Sequence, residues 1–482
     1  MQSKFKLIAL SIAINTALVA GCAVGPDYRK PDVAVPAQYK EAVAQDSAWK
    51  VAAPQDHAER GNWWEIYGDS ELDTLQQQLN AANQDIAAAE ARYRQARATA
   101  RAANAGFFPT LSANASKERS GVATSNTVGN TLNTRGVGDN YSASLDANWE
   151  LDVWGRVRRD AESNTASRQA SAADLAAARL SAQAQLAQNY FQLRIVDAQQ
   201  ELLDRTVIDY QKSLQLTQNQ YAAGVAGRAE VMQAETQLKA TQAQAVDNGV
   251  TRAQLEHAIA ILLGKAPADV ALAVAPAPAD IPAIPAALPS QLLERRPDIA
   301  AAERRTAAAN AQIGVAQAAY FPALSLSASG GYQSRSFADW FSAPNRFWSL
   351  GPSLAQTLFD GGLRSANKER AVAAYDETVA TYRQTVLTGM QEVEDNLVAL
   401  DLLQKELLLQ QDAVRAAREA LQLVNNQYKA GTVGYLNVIT AEATALSNER
   451  NLLQVRGRQF SASVLLVKAL GGGWQVDTLA AQ

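Results

Sequence analysis

Two stretches of the chain have the residue pattern of unusually long helices. Residues 156–223 contain neither glycine nor proline, and residues 363–430 contain no proline and a single glycine, Gly389. In the second stretch, apolar residues recur every seven positions, at Leu400, Leu407, Val414, Leu421 and Tyr428. The first stretch carries the same spacing at Leu193, Gln200, Val207, Leu214 and Tyr221. This repeat predicts helices packed with a left-handed supercoil, each roughly 100 Å long at 1.5 Å per residue.

Four shorter segments alternate between polar and small or apolar residues with a period of two. They lie at 110–116, 141–152, 323–329 and 350–358, where Leu350, Pro352, Leu354 and Leu358 share one face. Aromatic residues flank them: Phe107, Phe108, Tyr320 and Phe321 at one end, and Trp340, Phe341, Phe347 and Trp348 near the other. The pattern predicts strands of a membrane β-barrel, and a soluble half-buried sheet is the alternative. Four strands cannot close a barrel, whereas twelve from a trimer can.

The elements occur twice along the chain. The hexapeptide "DIAAAE" stands at 85–90 and again at 298–303, and "NQYAAG" at 219–224 is matched by "NQYKAG" at 426–431. Each half is predicted to contain a helix, a strand pair, a very long helix, a turn and another helix. Internal repeats of this size predict that each half is one structural unit. Between the halves lies a proline-rich connector in which no helix can continue.

The first residues have the pattern of an export signal. Lys4 and Lys6 precede a short apolar run that ends in "LVAGC" at 18–22, and this run has the length of a signal-peptide core. Small residues before the lone cysteine, Cys22, resemble a bacterial lipobox, which implies cleavage before Cys22 and a covalent lipid on it. A plain secretory signal with an incidental cysteine is the alternative. Ala23 in place of aspartate favours the outer membrane by the sorting rule that this motif resembles.

Composition excludes several classes of function. The 482 residues carry a net charge of −4, so no basic surface argues for nucleic acid. Two histidines, His57 and His257, and one cysteine cannot form a Cys/His zinc site. We expect no enzyme activity, no metal and no cofactor other than the lipid on Cys22.

Four motifs together resemble a known family. They are "CAVGPDYRKP" at 22–31, "NWWEIYGDSELDTL" at 62–75, "LPSQLLERRPDIAAAE" at 288–303 and the paired "NQYxAG" sequences. The chain resembles the outer-membrane efflux proteins of the TolC type, in the lipoprotein branch that serves RND multidrug pumps. The resemblance implies a mostly α-helical trimer with a twelve-stranded membrane β-barrel, four strands from each chain, continued by a long periplasmic helical barrel and built from two internal repeats.

This resemblance divides the chain into six parts. They are a lipoprotein signal peptide (1–21), an N-terminal anchor and equatorial segment (22–70), the first repeat (71–265), the proline-rich connector (266–287), the second repeat (288–472) and a C-terminal tail (473–482).

The resemblance also implies a periplasmic gate at the two hairpin tips. The tips turn at Gly224, Gly227, Gly431 and Gly434, where glycine permits the positive φ that ends helices. The family's linking pair corresponds to Tyr428 and Glu230, while a frequent linking arginine corresponds to Val433. The acidic rings correspond to Asn437 and Thr440, so several charged elements are missing. A gate held mainly by packing is the alternative to a Tyr428–Glu230 link. For Arg228 the alternatives are a pair with Glu230, a contact with the adaptor, or a solvated charge at the tip.

The function expected from the resemblance is a passive exit channel for drugs, solvents or other toxic small molecules. The expected partners are two further copies of the chain, a periplasmic adaptor, an inner-membrane RND pump and outer-membrane lipid, with no nucleic acid. Alternatives with the same fold are a duct for type I protein secretion or for metal efflux. A lipid-anchored periplasmic coiled-coil scaffold is an alternative of a different class.

Overall fold

A computed structural model describes residues 23–36, 39–40, 62–121, 137–276, 281–282 and 295–472. The predicted signal peptide, the lipidation site Cys22 and the tail at 473–482 lie outside the described residues.

The first repeat follows the predicted order of elements. Short helices α1 (Ser70–Ala82) and α2 (Gln84–Ala105) lead to strands β1 (Thr110–Gly121) and β2 (Val137–Leu151). Helix α3 (Arg156–Ala222) then runs for 67 residues and is followed by α4 (Arg228–Leu262). The break between α1 and α2 falls at Asn83, whose amide oxygen caps α2 by accepting the N–H of Ile86.

The second repeat has the same order. Helix α5 (Pro297–Ala318) leads to β3 (Ala323–Ser334) and β4 (Arg346–Ala355), and then to α6 (Leu363–Lys429) and α7 (Tyr435–Ala469). Helix α6 also has 67 residues, because no proline interrupts it and its one glycine costs only about 1 kcal/mol. No helix in the described parts of the chain is long and apolar enough to cross a membrane.

The four strands form one antiparallel sheet in the order β1-β2-β3-β4. The central pair, β2 with β3, joins the two repeats through a register that runs from Tyr141 opposite Ser334 to Leu151 opposite Leu324. The prediction that the last strand covers 350–358 is wrong at both ends. The final pair of β3 and β4 is Ala323 with Ala355, and Pro322 before it has no N–H with which to extend the ladder. Leu358 therefore lies beyond the strand and is exposed.

The buried residues of α6 follow the predicted seven-residue repeat more closely than the buried residues of α3 do. On α6, Leu400, Val414 and Tyr428 are buried. On α3, however, Tyr221 is 49% exposed, and the buried row near the helix end is Leu203, Tyr210 and Thr217. These residues stand four positions before the predicted ones. Residues four apart share a helix face, so the predicted row lies at the margin of the contact face.

Contacts divide the chain into two compact units, which do not coincide with the repeats. Among the described residues, one unit comprises 23–31, 94–121, 137–170 and 302–381. The other comprises 32–36, 39–40, 62–93, 171–276, 281–282, 295–301 and 382–472. Each unit therefore contains segments of both repeats. Helix α3 explains why: Ala166 packs with Ala307 of α5 in one unit, whereas Leu202 of the same helix clusters with Leu446 of α7 in the other.

Candidate functional site at the hairpin ends

Both helical hairpins turn through the same backbone motif. Gly224 has a φ of 75° and Gly431 a φ of 72°. The N–H of the following residue, Val225 or Thr432, bonds back to a carbonyl in the last turn of the preceding helix, at 2.8 and 3.0 Å. These bonds satisfy carbonyls that would otherwise lack donors at the helix end.

The other two tip glycines have a different role from the one predicted. Gly227 has a φ of −85° and Gly434 a φ of −80°, both in extended backbone. They are the N-cap residues of α4 and α7, and an N-cap takes extended dihedrals before the helix begins. Only the first glycine of each tip therefore uses the left-handed region.

Two tyrosines form the buried contact next to the tips. Tyr428 near the end of α6 and Tyr435 at the start of α7 have ring centroids 5.4 Å apart. They cluster with Ala234 of α4 and Val438 of α7, so side chains from both hairpins meet there. Burial raises the pKa of both phenols, that of Tyr435 to about 12. Both hydroxyls therefore stay protonated and can donate hydrogen bonds at neutral pH.

The tyrosine hydroxyls bond to polar side chains of α3. The hydroxyl of Tyr428 donates to Oε1 of Gln220 and lies 3.4 Å from Oγ1 of Thr217. The hydroxyl of Tyr435 lies 3.1 Å from Oγ of Ser213. Sequence reasoning missed Ser213, Thr217, Gln220 and Tyr435. The sequence does indicate the three α3 residues, because positions 213, 217 and 220 follow the i, i+4, i+7 spacing of one helix face.

Glu230 has a different partner from the predicted one. Its Oε2 accepts the backbone N–H of Gly227 at 3.1 Å, while its own N–H donates to the Gly227 carbonyl at 3.1 Å. This reciprocal pair caps α4. Within the described residues no hydrogen bond joins Glu230 to Tyr428, although the carboxylate lies near enough to contribute to the raised pKa of Tyr428. Arg228 is exposed and makes no ion pair with a described residue.

Asn437 and Thr440 lie on the exposed side of α7. Asn437 occupies the third position of its helix, as Glu230 does in α4, but only its backbone N–H is engaged, at 3.1 Å from the Gly434 carbonyl. The hydroxyl of Thr440 donates to the Leu436 carbonyl at 2.9 Å. The two positions therefore present uncharged polar groups, as the sequence predicted.

A cavity of about 480 Å³ lies among α3, α6 and α7 beside the tyrosines. Glu442 of α7 lines it, is only 8% exposed, and has one carboxylate oxygen that is buried without a hydrogen-bond partner. Burial, followed by the nearby charge of Asp209, raises the pKa of Glu442 to about 7. Two of the cations that line the cavity are paired with other carboxylates: Lys212 bonds to Asp209 at 3.1 Å and Arg418 to Glu449 at 2.5 Å.

Comparisons with known proteins agree with this architecture. The chain matches the family model of the outer membrane efflux protein over residues 75–265 and 288–472. The pyoverdine export outer membrane protein OpmQ of Pseudomonas aeruginosa is 35% identical over 455 residues, covering 92% of this chain and 94% of that protein. The toluene efflux pump outer membrane protein TtgC of Pseudomonas putida is 32% identical over 474 residues, covering 97% and 96%. The solved structure of the outer-membrane channel OprN matches with a TM-score of 0.86 and 33% identity, covering 94% of this chain and all of that one.

Proposed function

The chain belongs to the outer membrane efflux protein family, and we propose that it is the passive outer-membrane exit channel of a tripartite efflux system for toxic small molecules. One observation carries this proposal: a single chain combines a two-faced four-stranded sheet with two hairpins built on helices of 67 residues. A periplasmic coiled-coil scaffold would need the helices and not the sheet. The relatives named above export cargoes as different as pyoverdine and toluene, which supports a duct that does not itself choose the compound.

We propose that three copies of the chain assemble. In the single chain, β1 and β4 are the edges of the sheet and pair on one side only. Unpaired backbone groups are costly in hydrocarbon. Pairing β4 of one copy with β1 of the next would remove every edge and close twelve strands. A lipid on Cys22 would add a second attachment to the outer membrane, and a periplasmic adaptor and an inner-membrane RND pump would complete the system.

The function is tested by deleting the gene in a strain without related channels. Sensitivity to several chemically unrelated toxic compounds should rise, and the intact gene should restore resistance. Unchanged sensitivity to all of them would contradict the efflux function. Loss of a secreted protein instead would favour type I secretion, and sensitivity confined to metal ions would favour metal efflux.

We further propose that the hairpin ends are the resting gate, with Tyr428 as the main link between the hairpins. Its hydroxyl bonds to Gln220 of the other hairpin, and Glu230, Arg228, Asn437 and Thr440 surround the turns. Tyr428→Phe, alone and with Glu230→Ala, should raise the resting conductance in planar bilayers, because it removes the donor and keeps the ring.

Tyr221→Phe is the matched control for the gate. Tyr221 is the equivalent tyrosine of the first repeat and is half exposed, so its hydroxyl should not affect closure. If Tyr428→Phe leaves the resting conductance unchanged, the closed tip is held instead by packing of the apolar cluster and by the contact of Tyr435 with Ser213.

A further inference from the structure

The two faces of the sheet differ sharply in chemistry. One face carries leucines and aromatic rings, and Leu111, Leu145, Trp348, Leu350 and Leu354 are each more than half exposed on it. The opposite face carries small polar residues from all four strands. They are Ser112, Asn114 and Ser116; Ser144, Asp146 and Asn148; Ser325, Ser327 and Ser329; and Ser349 and Ser353.

Asp146 lies near the middle of this polar face. Strand β2 pairs it with Ser112 on one side and Ser329 on the other. Its carboxylate accepts hydrogen bonds from Nδ2 of Asn114 at 2.8 Å, Oγ of Ser144 at 2.7 Å and Oγ of Ser329 at 2.5 Å. Donors from three strands therefore hold the carboxylate in one orientation.

All three donors to Asp146 are neutral, so they do not cancel its charge. The other carboxylates of the same strand have cationic partners. Glu150 forms an ion pair with Arg156 at 2.6 Å, and Asp139 lies 3.9 Å from Arg119. Asp146 thus presents a full negative charge among serines, held in place but uncompensated.

The apolar face suits contact with lipid, which leaves the polar face toward water. We propose that Asp146 determines the charge selectivity of the channel, favouring cations and cationic small molecules over anions in the pore formed by the sheet. This proposal rests on the trimeric channel proposed above, in which three Asp146 carboxylates surround one aqueous path. Rings of acidic side chains select cations in other pores.

The hairpin ends lack the acidic rings that the family resemblance implies. Asn437 and Thr440, at the positions where the family resemblance implies acidic rings, are uncharged. Fixed charges concentrate ions of opposite sign where low-dielectric walls confine the field. With uncharged residues at these two positions, the carboxylates on the sheet become the acidic charge that a passing ion meets in the membrane.

The experiment measures the reversal potential of the purified full-length channel in planar bilayers under a KCl gradient. For Asp146→Asn, the ratio of K⁺ to Cl⁻ permeability should fall at least about fivefold at low salt, because the trimer loses three carboxylates and one unit charge near the path already has about that effect. Asp146→Glu should keep the cation preference, and Asp146→Lys should invert it. Raising the salt concentration should shrink the difference between wild type and Asp146→Asn.

The matched control is the double variant Glu150→Gln with Arg156→Gln, which removes an ion pair. It should leave the permeability ratio unchanged because it does not change the net charge. Asp146→Asn channels that conduct with the wild-type ratio would overturn the proposal. Preparations of wild type that form no channels at all would instead overturn the proposed function, and the role of Asp146 with it. The asparagine keeps an acceptor oxygen for the same donors, so these channels are expected to assemble.

Discussion

Glu442 shows how one side chain can take different environments in two copies of a repeat. The sequence "AET" at 234–236 corresponds to "AEA" at 441–443, yet Glu235 is exposed and Glu442 is buried beside the cavity. A buried carboxyl without a hydrogen-bond partner is costly to ionise. Asp209 on the facing helix adds repulsion between like charges.

The raised pKa of Glu442 makes the stability of the folded chain depend on pH. Between the ordinary value of 4.5 and the folded value of about 7, the folded protein binds more protons than the unfolded chain. The contribution of Glu442 to stability is therefore fully present below pH 4.5 and is lost as the pH rises through about 7. The difference in pKa corresponds to about 3 kcal/mol for each chain.

We expect Glu442→Gln to remove this fall. The thermal midpoint of the detergent-solubilised protein, measured between pH 5 and pH 8, should decrease with pH in the wild type and much less in the variant. Glu235→Gln is the control and should keep the wild-type dependence. Identical slopes for wild type and Glu442→Gln would show that the carboxyl is not held neutral.

The long helices and strands were predictable because their signals are local. A run without glycine or proline predicts a continuous helix, and a period of two predicts a strand. The exact contact face of α3 was not predictable, since Leu203, Tyr210 and Thr217 form a seven-residue row as valid as the one that ends at Tyr221. The position of the neighbouring helices decides which of the two rows is buried.

The two glycines of the first hairpin turn should differ in how well they tolerate alanine. Gly224→Ala forces a side chain into a φ of 75°, and no atom crowds the new Cβ, so the cost is backbone strain of about 1–2 kcal/mol. Gly227→Ala, three residues later at a φ of −85°, adds no such strain. Alanine is a poorer N-cap than glycine, but it also reduces the freedom of the unfolded chain, so the two effects should nearly cancel and stability should change by less than about 0.5 kcal/mol. Thermal midpoints of the two variants measure the difference, and equal effects would contradict the assignment of separate roles.

Across the whole molecule, the two repeats contact each other and do not form separate compact units. Each compact unit draws segments from both repeats, and the pairing of β2 with β3 joins them in one sheet. Duplication in the sequence therefore describes the order of elements and not the division of the core.

The open edges of the sheet predict the assembly. Light scattering or native mass measurement of the detergent-solubilised protein should give three chains, because strand edges are satisfied only when copies pair. Dilution should not produce monomers if each interface includes a full strand pair. A monodisperse monomer would contradict the trimer and, with it, the ring of Asp146 carboxylates.

The sequence by itself determined the order of elements, the duplicated plan, the two-faced strands and the family, because each depends on spacing or motifs within short stretches. The positions proposed for the gate come from the motifs and stay a prediction. Only the tertiary structure decided that Tyr428 bonds to Gln220 while Glu230 caps its own helix, that Glu442 is buried while Glu235 is not, and that Asp146 meets donors from three strands. These contacts join residues up to about two hundred positions apart, and their register depends on how helices and strands pack, which no local pattern encodes.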